Sequence, residues 1–188
     1  MKSLTYGPYT VSLFSEEDSR GIIYAVTEQE SAEEVWGLIK GRGLALAAIS
    51  GVDWNRELSP WGAPKAFRSG EDFAGQGQAF LDVLTGQIIP LTEGQLRFAP
   101  LFRGIAGYSL AGLFALWSVY QTDAFDRAAS VSGSLWFDGF MDFMEVSAPK
   151  AGRIYLSLGD KEKASKNQRL ARVEDCTAKA AELLWRCV

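Results

Sequence analysis

Gly107-Tyr108-Ser109-Leu110-Ala111-Gly112 is the stretch of sequence that decides the fold. The run before it, 103–107, is typical of a buried strand, and the apolar segment 110–120 predicts a helix buried on most sides. A serine between small residues on a strand-to-helix turn is the pattern of a nucleophile elbow, and Ala111 is still small where the strict pattern has glycine. The alternative is a glycine-rich turn in which Ser109 only caps the helix.

The same chain contains no histidine. A serine hydroxyl is a poor nucleophile at neutral pH, and acyl-transfer enzymes activate it with a neighbouring base, most often an imidazole held by a carboxylate. The sequence therefore predicts a nucleophile without an imidazole base.

Composition and charge exclude several classes of partner. The chain has 188 residues, 47% of them hydrophobic and 22% charged, which predicts one globular domain over 1–188. The net charge of -4 disfavours nucleic acid or an anionic membrane as a partner chosen by charge. No run reaches the roughly 18 apolar residues of a membrane span or resembles a signal peptide, so we expect a cytoplasmic location.

The cysteines and the acidic residues predict neither a metal site nor a cofactor. Cys176 and Cys187 match no metal-ligand spacing and no disulfide framework. The acidic residues show no clustered ligand spacing. We expect two reduced thiols, no metal and no cofactor.

The rest of the chain alternates predicted strands and helices. Strands are predicted at 9–14, 21–26, 44–49, 103–107, 125–132 and 153–158. Helices are predicted from a capping box at Ser31 and Glu34 to about residue 41, at 75–95 with a break near Pro90, at 110–120, at 137–146 and from residue 167. Residues 50–61 predict a long ordered loop. The alternation indicates a three-layer α/β fold with a doubly wound, mostly parallel sheet.

On these residues the chain resembles the α/β-hydrolase-fold serine esterases of the esterase D and enterochelin (ferric-siderophore) esterase family. The resemblance covers most of the chain. It is most specific at 107–112, at Ser132-Gly133-Ser134-Leu135-Trp136 and at Leu156-Ser157-Leu158-Gly159-Asp160-Lys161-Glu162. The tract 54–61 is similar to the loop after the third strand in uncharacterised bacterial members.

The resemblance implies hydrolysis of a small-molecule ester through an acyl-serine. Ser109 would attack the carbonyl, and the backbone amide of Leu110 would donate to the oxyanion. A second donor would come from the loop around Thr27 and Glu28, where the family's glycine-rich oxyanion sequence is missing.

The resemblance also implies an acid that orients the base. Asp160 or Glu162, just past a strand, would fill this role, since ligands bind at the carboxyl ends of strands in such sheets. The alternative for both is a solvated turn shared with Lys161 and Lys163.

Aromatic residues and one arginine are candidates for substrate binding. Trp54, Trp61 and Trp136 are candidates for an acyl pocket, with core packing as the alternative. Tyr108, beside the serine, is placed with them. Arg56 is suited to holding a substrate carboxylate, or else pairs with Glu57 or a neighbouring acid on the surface.

The chain departs from the family at its end. Triad residues follow the order serine, acid, histidine, and the family's histidine lies beyond one more strand, after the helix that ends here at 184–188. We expect the C-terminal strand and histidine loop to be missing, through truncation or a frame shift. Loss of the base histidine costs on the order of 10⁶ in turnover, so we expect a nearly inactive esterase.

Three further hypotheses follow from that departure. One is a catalytically inactive ligand-binding or interaction module on the same fold. Another is a base supplied by a different subunit, which a second copy of this chain does not carry. The third is self-association through an unprotected sheet edge at 153–158.

Overall fold

The computed structural model of the chain describes residues 1–66, 70–160 and 168–185. The strands are β1 (Lys2–Tyr6), β2 (Tyr9–Phe14), β3 (Gly21–Val26), β4 (Leu44–Ser50), β5 (Gly62–Ala63), β6 (Phe73–Ala74), β7 (Arg103–Tyr108), β8 (Arg127–Val131) and β9 (Arg153–Ser157). The helices are α1 (Ala32–Ile39), α2 (Trp54–Glu57), α3 (Gly77–Val83), α4 (Ile89–Glu93), α5 (Leu110–Gln121), α6 (Phe140–Val146), α7 (Gln168–Ala171) and α8 (Val173–Trp185). A 3₁₀ turn, Gln29–Ser31, precedes α1, and a π turn, Leu84–Ile88, joins α3 to α4.

The main sheet has the strand order β1-β2-β4-β3-β7-β8-β9. From β4 to β9 neighbouring strands are parallel, whereas β1 and β2 run antiparallel to their neighbours. Val26 pairs with Gly107, and Tyr108 pairs with Val131, so the carboxyl ends of β3, β7 and β8 lie together. The predicted mostly parallel α/β fold is confirmed.

Helices pack on both faces of this sheet. The larger core lies between the sheet and α3, α5, α6 and α8, and residues 110–120 of α5 are all buried, as their apolar run predicts. On the opposite face α1 packs over a smaller cluster, in which Trp36 stacks on Phe14 with ring centroids 5.4 Å apart. The three predicted layers are therefore present.

Near the start of the chain one strand was missed and one local prediction is wrong. β1 was not predicted, because this edge strand is short and mostly exposed. The capping box at Ser31 does not form: Ser31 has φ -88° and ψ -7°, and its side chain makes no capping bond. A capping serine needs an extended backbone, whereas Ser31 belongs to the 3₁₀ turn that leads into α1.

The predicted break near Pro90 is also wrong. The helix widens before Pro90 instead, where the N–H of Ile89 donates to the carbonyl of Leu84 across a π turn. Pro90 then falls in the first turn of α4, where a missing backbone N–H costs little.

Candidate active site

Ser109 stands at the junction of β7 and α5 in a strained conformation. Its φ of 55° and ψ of -120° lie outside the regions that a side chain favours. Its backbone N–H donates to the carbonyl of Val131 at 3.1 Å, which ties the turn to the end of β8. The Ser109 side chain makes no helix-capping bond. The geometry is that of an elbow that lifts the hydroxyl off the sheet, rather than of a capped helix.

Small residues make this turn possible. A Cβ built on Gly107 would lie 2.3 Å from the carbonyl carbon and oxygen of Ala111. A Cβ on Gly112 would lie 2.9 Å from the Gly107 carbonyl oxygen, and one on Gly133 would lie 2.1 Å from Ser130 Oγ. The strand β7, the helix α5 and the turn after β8 thus approach one another more closely than side chains allow.

A second serine faces the first. Ser134 Oγ lies 3.3 Å from Ser109 Oγ, and the backbone N–H of Ser134 donates to the Ser109 carbonyl at 2.9 Å. Ser134 is buried, whereas Ser109 is half-buried. The turn after β8 therefore places a hydroxyl directly beside the elbow.

Ser132 connects the same turn to the end of β9. It has a positive φ of 42°, and its N–H donates to the Ser157 carbonyl at 2.8 Å. Its Oγ accepts a hydrogen bond from the N–H of Gly159 at 3.3 Å. Asp160, the next residue, is exposed at this edge of the sheet and does not line the cavity at Ser109. Glu162 lies outside the described residues.

The backbone amide of Leu110 is the first of α5. Amides in the first turn of a helix have no partner within it, and the helix dipole favours negative charge there. In contrast, the N–H of Thr27 donates to the Ile49 carbonyl at 3.0 Å, so it is used at the end of the sheet. Thr27 and Glu28 are not among the residues that line the cavity at Ser109.

A cavity of about 240 Å³ opens over Ser109. Aromatic side chains form much of its wall, namely Trp54, Phe73, Tyr108 and Trp136. Asn55, Lys65, Glu71 and the serines 132 and 134 add polar groups, and Leu170 and Val173 from α7 and α8 close one side. An apolar space with a few polar groups beside one hydroxyl suits a small organic ligand.

The loop that carries Trp54 is anchored by hydrogen bonds at α2. Asp53 caps this helix by accepting from the N–H of Arg56 at 3.1 Å, and Glu57 accepts from the N–H of Asp53 at 2.7 Å and from the Tyr9 hydroxyl at 2.5 Å. Burial, followed by the hydrogen bond to Glu57, raises the pKa of Tyr9 above its ordinary value. The Arg56 side chain lies 3.9 Å from Asp53 and does not line the cavity. Its contact is the surface ion pair, made with Asp53 and not with Glu57.

Trp61 lies away from the cavity. Its Nε1 donates to the carbonyl of Asp138 at 2.9 Å, and its ring packs against Phe137 and Phe143 with centroids 5.9 and 5.7 Å away. Of the three tryptophans predicted for an acyl pocket, Trp54 and Trp136 line the cavity, and Trp61 is core packing beneath α6.

The described residues hold no group of three or more histidine, cysteine, aspartate or glutamate side chains placed for a metal ion. Cys176 is a free, buried thiol, and Cys187 lies outside the described residues. None of the helices in the described part of the chain is both long and apolar enough to cross a membrane.

With this geometry in view, the chain can be compared with known proteins. A family model named Esterase, described as "Putative esterase", matches residues 25–186. The chain belongs to this esterase family. The matched range of the chain includes the elbow, the turn after β8 and the whole aromatic wall of the cavity.

Solved structures with a similar fold include a serine hydrolase, an enterobactin esterase and a siderophore hydrolase. An IroE-like serine hydrolase from Shewanella oneidensis matches with a TM-score of 0.74 and 17% identity over 95% of this chain and 64% of its own. The enterobactin esterase FES from Shigella flexneri matches with a TM-score of 0.73 and 16% identity over 98% and 50%. Siderophore hydrolase EstA from Aspergillus nidulans matches with a TM-score of 0.66 and 17% identity over 96% and 76%. The resemblance predicted from the sequence is confirmed.

A curated sequence relative of this chain is the uncharacterised protein YbbA of Bacillus subtilis (strain 168). It is 32% identical over 124 residues, which are 63% of this chain and 50% of YbbA. The chain thus spans about half the length of this curated relative.

Several residues that line the cavity were not predicted from the sequence. Ser134 had a usable signal, because it lies in a segment that follows a strand and so reaches the sheet edge that holds Ser109. The sequence carries no such signal for Phe73 and Val173, because their places in the cavity wall depend on long-range packing of the β5–β6 ribbon and of α8.

Proposed function

We propose that this member of the esterase family hydrolyses carboxylic esters through an acyl-serine on Ser109. The observation that carries the proposal is the strained turn between β7 and α5, with the Ser109 hydroxyl facing the aromatic cavity. Ser109 Oγ would attack the ester carbonyl, and the alcohol would leave with a proton as the acyl-serine forms. Water would then release the acid and restore the hydroxyl.

Leu110 is the proposed oxyanion donor. Its amide begins α5 directly after the nucleophile, where an elbow places the first donor. A well-placed donor contributes about 3 kcal/mol to the transition state. The Thr27 amide is bonded to Ile49, and Glu28, the other candidate for the second donor in that loop, does not line the cavity. Asp160 and Glu162 remain the candidate acids.

The absence of histidine sets the expected rate. A polypeptide of these 188 residues has no imidazole to take the Ser109 proton. We expect its turnover to lie on the order of 10⁶ below that of an enzyme with the base in place, with a remainder supplied by binding and the oxyanion donor.

The proposed substrate is a small ester with an aromatic or apolar acyl group. The wall formed by Trp54, Phe73 and Trp136 favours such a group, and the cavity volume of about 240 Å³ limits its size. FES was solved in the presence of 2,3-dihydroxy-N-benzoyl-serine, a small aromatic compound. The net charge of -4 gives no support for a nucleic-acid substrate. The cytoplasmic location stays a prediction.

Chemical rescue tests this proposal. Imidazole added to the purified chain should raise the hydrolysis of a chromogenic aryl acetate above the rate with Ser109→Ala, because the added base replaces the one that the chain lacks. The Ser109→Ala sample also measures the hydrolysis that imidazole catalyses in solution. Equal rates for the two proteins at every imidazole concentration would overturn the proposal.

A second candidate is a ligand-binding module with no catalysis. It is favoured by the lack of histidine together with a cavity that is nevertheless formed and lined by Trp54 and Trp136. Under this alternative an aryl carboxylate would change the tryptophan fluorescence, and no Ser109-dependent turnover would appear with imidazole. Ser109-dependent turnover would remove it.

A further inference from the structure

We propose that Ser134 is a positioning residue that holds the Ser109 hydroxyl in the orientation needed for attack. The inference rests on the proposed function of Ser109. It starts from the separation of 3.3 Å between the two Oγ atoms, which is within hydrogen-bonding reach. No role for Ser134 follows from the motif around Ser109, since 25 positions separate the two residues.

The backbone of Ser134 is fixed at both of its polar groups. Its N–H donates to the Ser109 carbonyl at 2.9 Å, and its carbonyl accepts from the N–H of Phe137 at 3.0 Å. The side chain is only 4% exposed, so water competes little for its hydroxyl. The separation of the two hydroxyls is therefore set by the fold and not by a mobile side chain.

The turn that carries Ser134 is closely packed against Ser130 and against α5. A Cβ on Gly133 would lie 2.1 Å from Ser130 Oγ and 3.4 Å from the carbonyl carbon of Gly112 in α5. The N–H of Leu135 donates to the Gly133 carbonyl at 2.7 Å. The turn that carries Ser134 therefore packs against α5, the helix that begins at the elbow.

Hydrogen bonding to Ser134 would direct the lone pairs of Ser109. A hydroxyl carries one proton and two lone pairs. When the Ser109 proton points at Ser134 Oγ, the Ser109 lone pairs face the cavity, where an ester carbonyl would lie. Ser134 does not act as the base, because a serine hydroxyl does not take up a proton near neutral pH. Its contribution is orientation, comparable to one neutral hydrogen bond and worth about tenfold in rate at most.

Ser132 does not fill this role, although it lines the same cavity. Its Oγ accepts from the N–H of Gly159, and its bonds tie β8 to β9. The two serines of this segment thus have different contacts: Ser132 links two strands, and Ser134 faces Ser109.

Phosphonylation kinetics test the inference. With imidazole added at a fixed concentration as the base, a saturable fluorophosphonate would be followed with the wild-type chain and with Ser134→Ala, measuring the probe's dissociation constant and its maximal rate of reaction separately. We expect a maximal rate about five- to tenfold lower in Ser134→Ala with the dissociation constant unchanged. Ser134→Thr, which restores a hydroxyl, should recover much of the rate.

A matched control is available within α5. Ser118 is also buried, and its Oγ donates to the Phe114 carbonyl at 2.7 Å. Ser118→Ala loses a buried serine hydroxyl away from the cavity and should react like wild type. Thermal unfolding of each variant shows that it folds. If Ser134→Ala does not fold, Ser134→Cys keeps the volume with a weaker hydrogen bond and should also lower the maximal rate.

The outcomes separate this inference from the proposed function. Wild-type rates in folded Ser134→Ala, with labelling that still requires Ser109, would overturn the positioning role alone. Labelling that is unchanged in Ser109→Ala would overturn both. A lower maximal rate in Ser134→Ala accompanied by recovery in Ser134→Thr is the result expected if the hydroxyl pair orients the nucleophile.

Discussion

Gly107 and Ala111 touch across the elbow, so that a Cβ on Gly107 would lie 2.3 Å from the Ala111 carbonyl group. Movement of a side chain could not relieve this clash, because the added Cβ would meet the backbone of α5. Gly107 therefore fixes how closely the helix approaches β7, and with it the position of Ser109.

Gly107→Ala should destabilise the fold for this reason. We expect the free energy of unfolding to fall by about 3 kcal/mol, as in other overpacked cores. Gly37→Ala is the matched control: Gly37 is exposed in α1, and a Cβ there meets nothing within 4 Å. That change should raise stability by about 0.5–1 kcal/mol through helix propensity. Urea unfolding measures both, and similar values for the two variants would contradict the close contact.

A partly buried hydrogen-bond network around Tyr24 predicts loss of stability at alkaline pH. The hydroxyl of Tyr24 donates to Glu93 Oε1 at 3.2 Å, and Glu93 holds Arg103 through two bonds of 2.6 and 2.8 Å. Burial, followed by the charge of Glu93, raises the pKa of Tyr24 above its ordinary value. The folded protein therefore keeps a proton that the unfolded chain releases near pH 10, so the stabilisation is complete below about pH 10 and is lost as the pH rises further.

Thermal unfolding at several pH values checks this sign. Between about pH 9 and 11 the midpoint of wild type should fall more steeply than that of Tyr24→Phe, which has no phenol to titrate. Tyr9 has a raised pKa as well, so the double variant Tyr9→Phe Tyr24→Phe should show the flattest curve. Parallel curves for all three proteins would show that these phenols do not contribute.

Two tyrosines with similar exposure, one in the cavity wall and one outside it, test whether a ligand binds in the cavity. Tyr108 is 59% exposed and lines the cavity, whereas Tyr155 is 60% exposed on β9 and does not. Tyr108→Ala should weaken the binding of an aryl boronate by about three- to tenfold through lost aromatic contact. Tyr155→Ala should leave the dissociation constant unchanged. Tryptophan fluorescence measures both, and equal effects would place the ligand elsewhere.

We expect the chain to self-associate through the edge of the sheet at β9. In the described part of the chain it is the last strand of the sheet, and Tyr155 and Val131 expose apolar surface beside it. An open strand edge pairs readily with another chain, and a charge on it opposes pairing. Sedimentation velocity should show association of wild type that Tyr155→Lys reduces. Tyr6→Lys, on the opposite edge strand β1, should have less effect, and a monomeric wild type at high concentration would contradict the prediction.

The sequence predicted the parts of the fold that depend on local pattern. The apolar runs of β4 and α5 were placed within one residue of their ends, because burial on both sides leaves a continuous apolar signal. β1 was missed because an exposed edge strand leaves no such signal. The break expected near Pro90 is absent because the helix continues through a π turn before this residue, and no residue pattern predicts a π turn.

In the candidate site, too, residues set by local sequence could be predicted, and residues set by long-range packing could not. Ser109 follows from a local motif, since the glycines that permit the turn lie beside it. The approach of Ser134 depends on the pairing of β7 with β8, which joins residues far apart in the chain. The sequence does not distinguish the roles of Trp61 and Trp136, yet of the two only Trp136 lines the cavity, because Trp61 packs against Phe143 of α6.

The most direct test of the central claim is to locate the adduct that a fluorophosphonate leaves on the purified chain when imidazole is added as the base that these 188 residues lack. After labelling, intact mass and tryptic mapping of the peptide 104–127, which contains Ser109 and Ser118, would be compared among wild type, Ser109→Ala and Ser118→Ala. The account predicts one adduct on this peptide in wild type and Ser118→Ala and none in Ser109→Ala. An adduct on a different residue, or labelling that persists in Ser109→Ala, would contradict it.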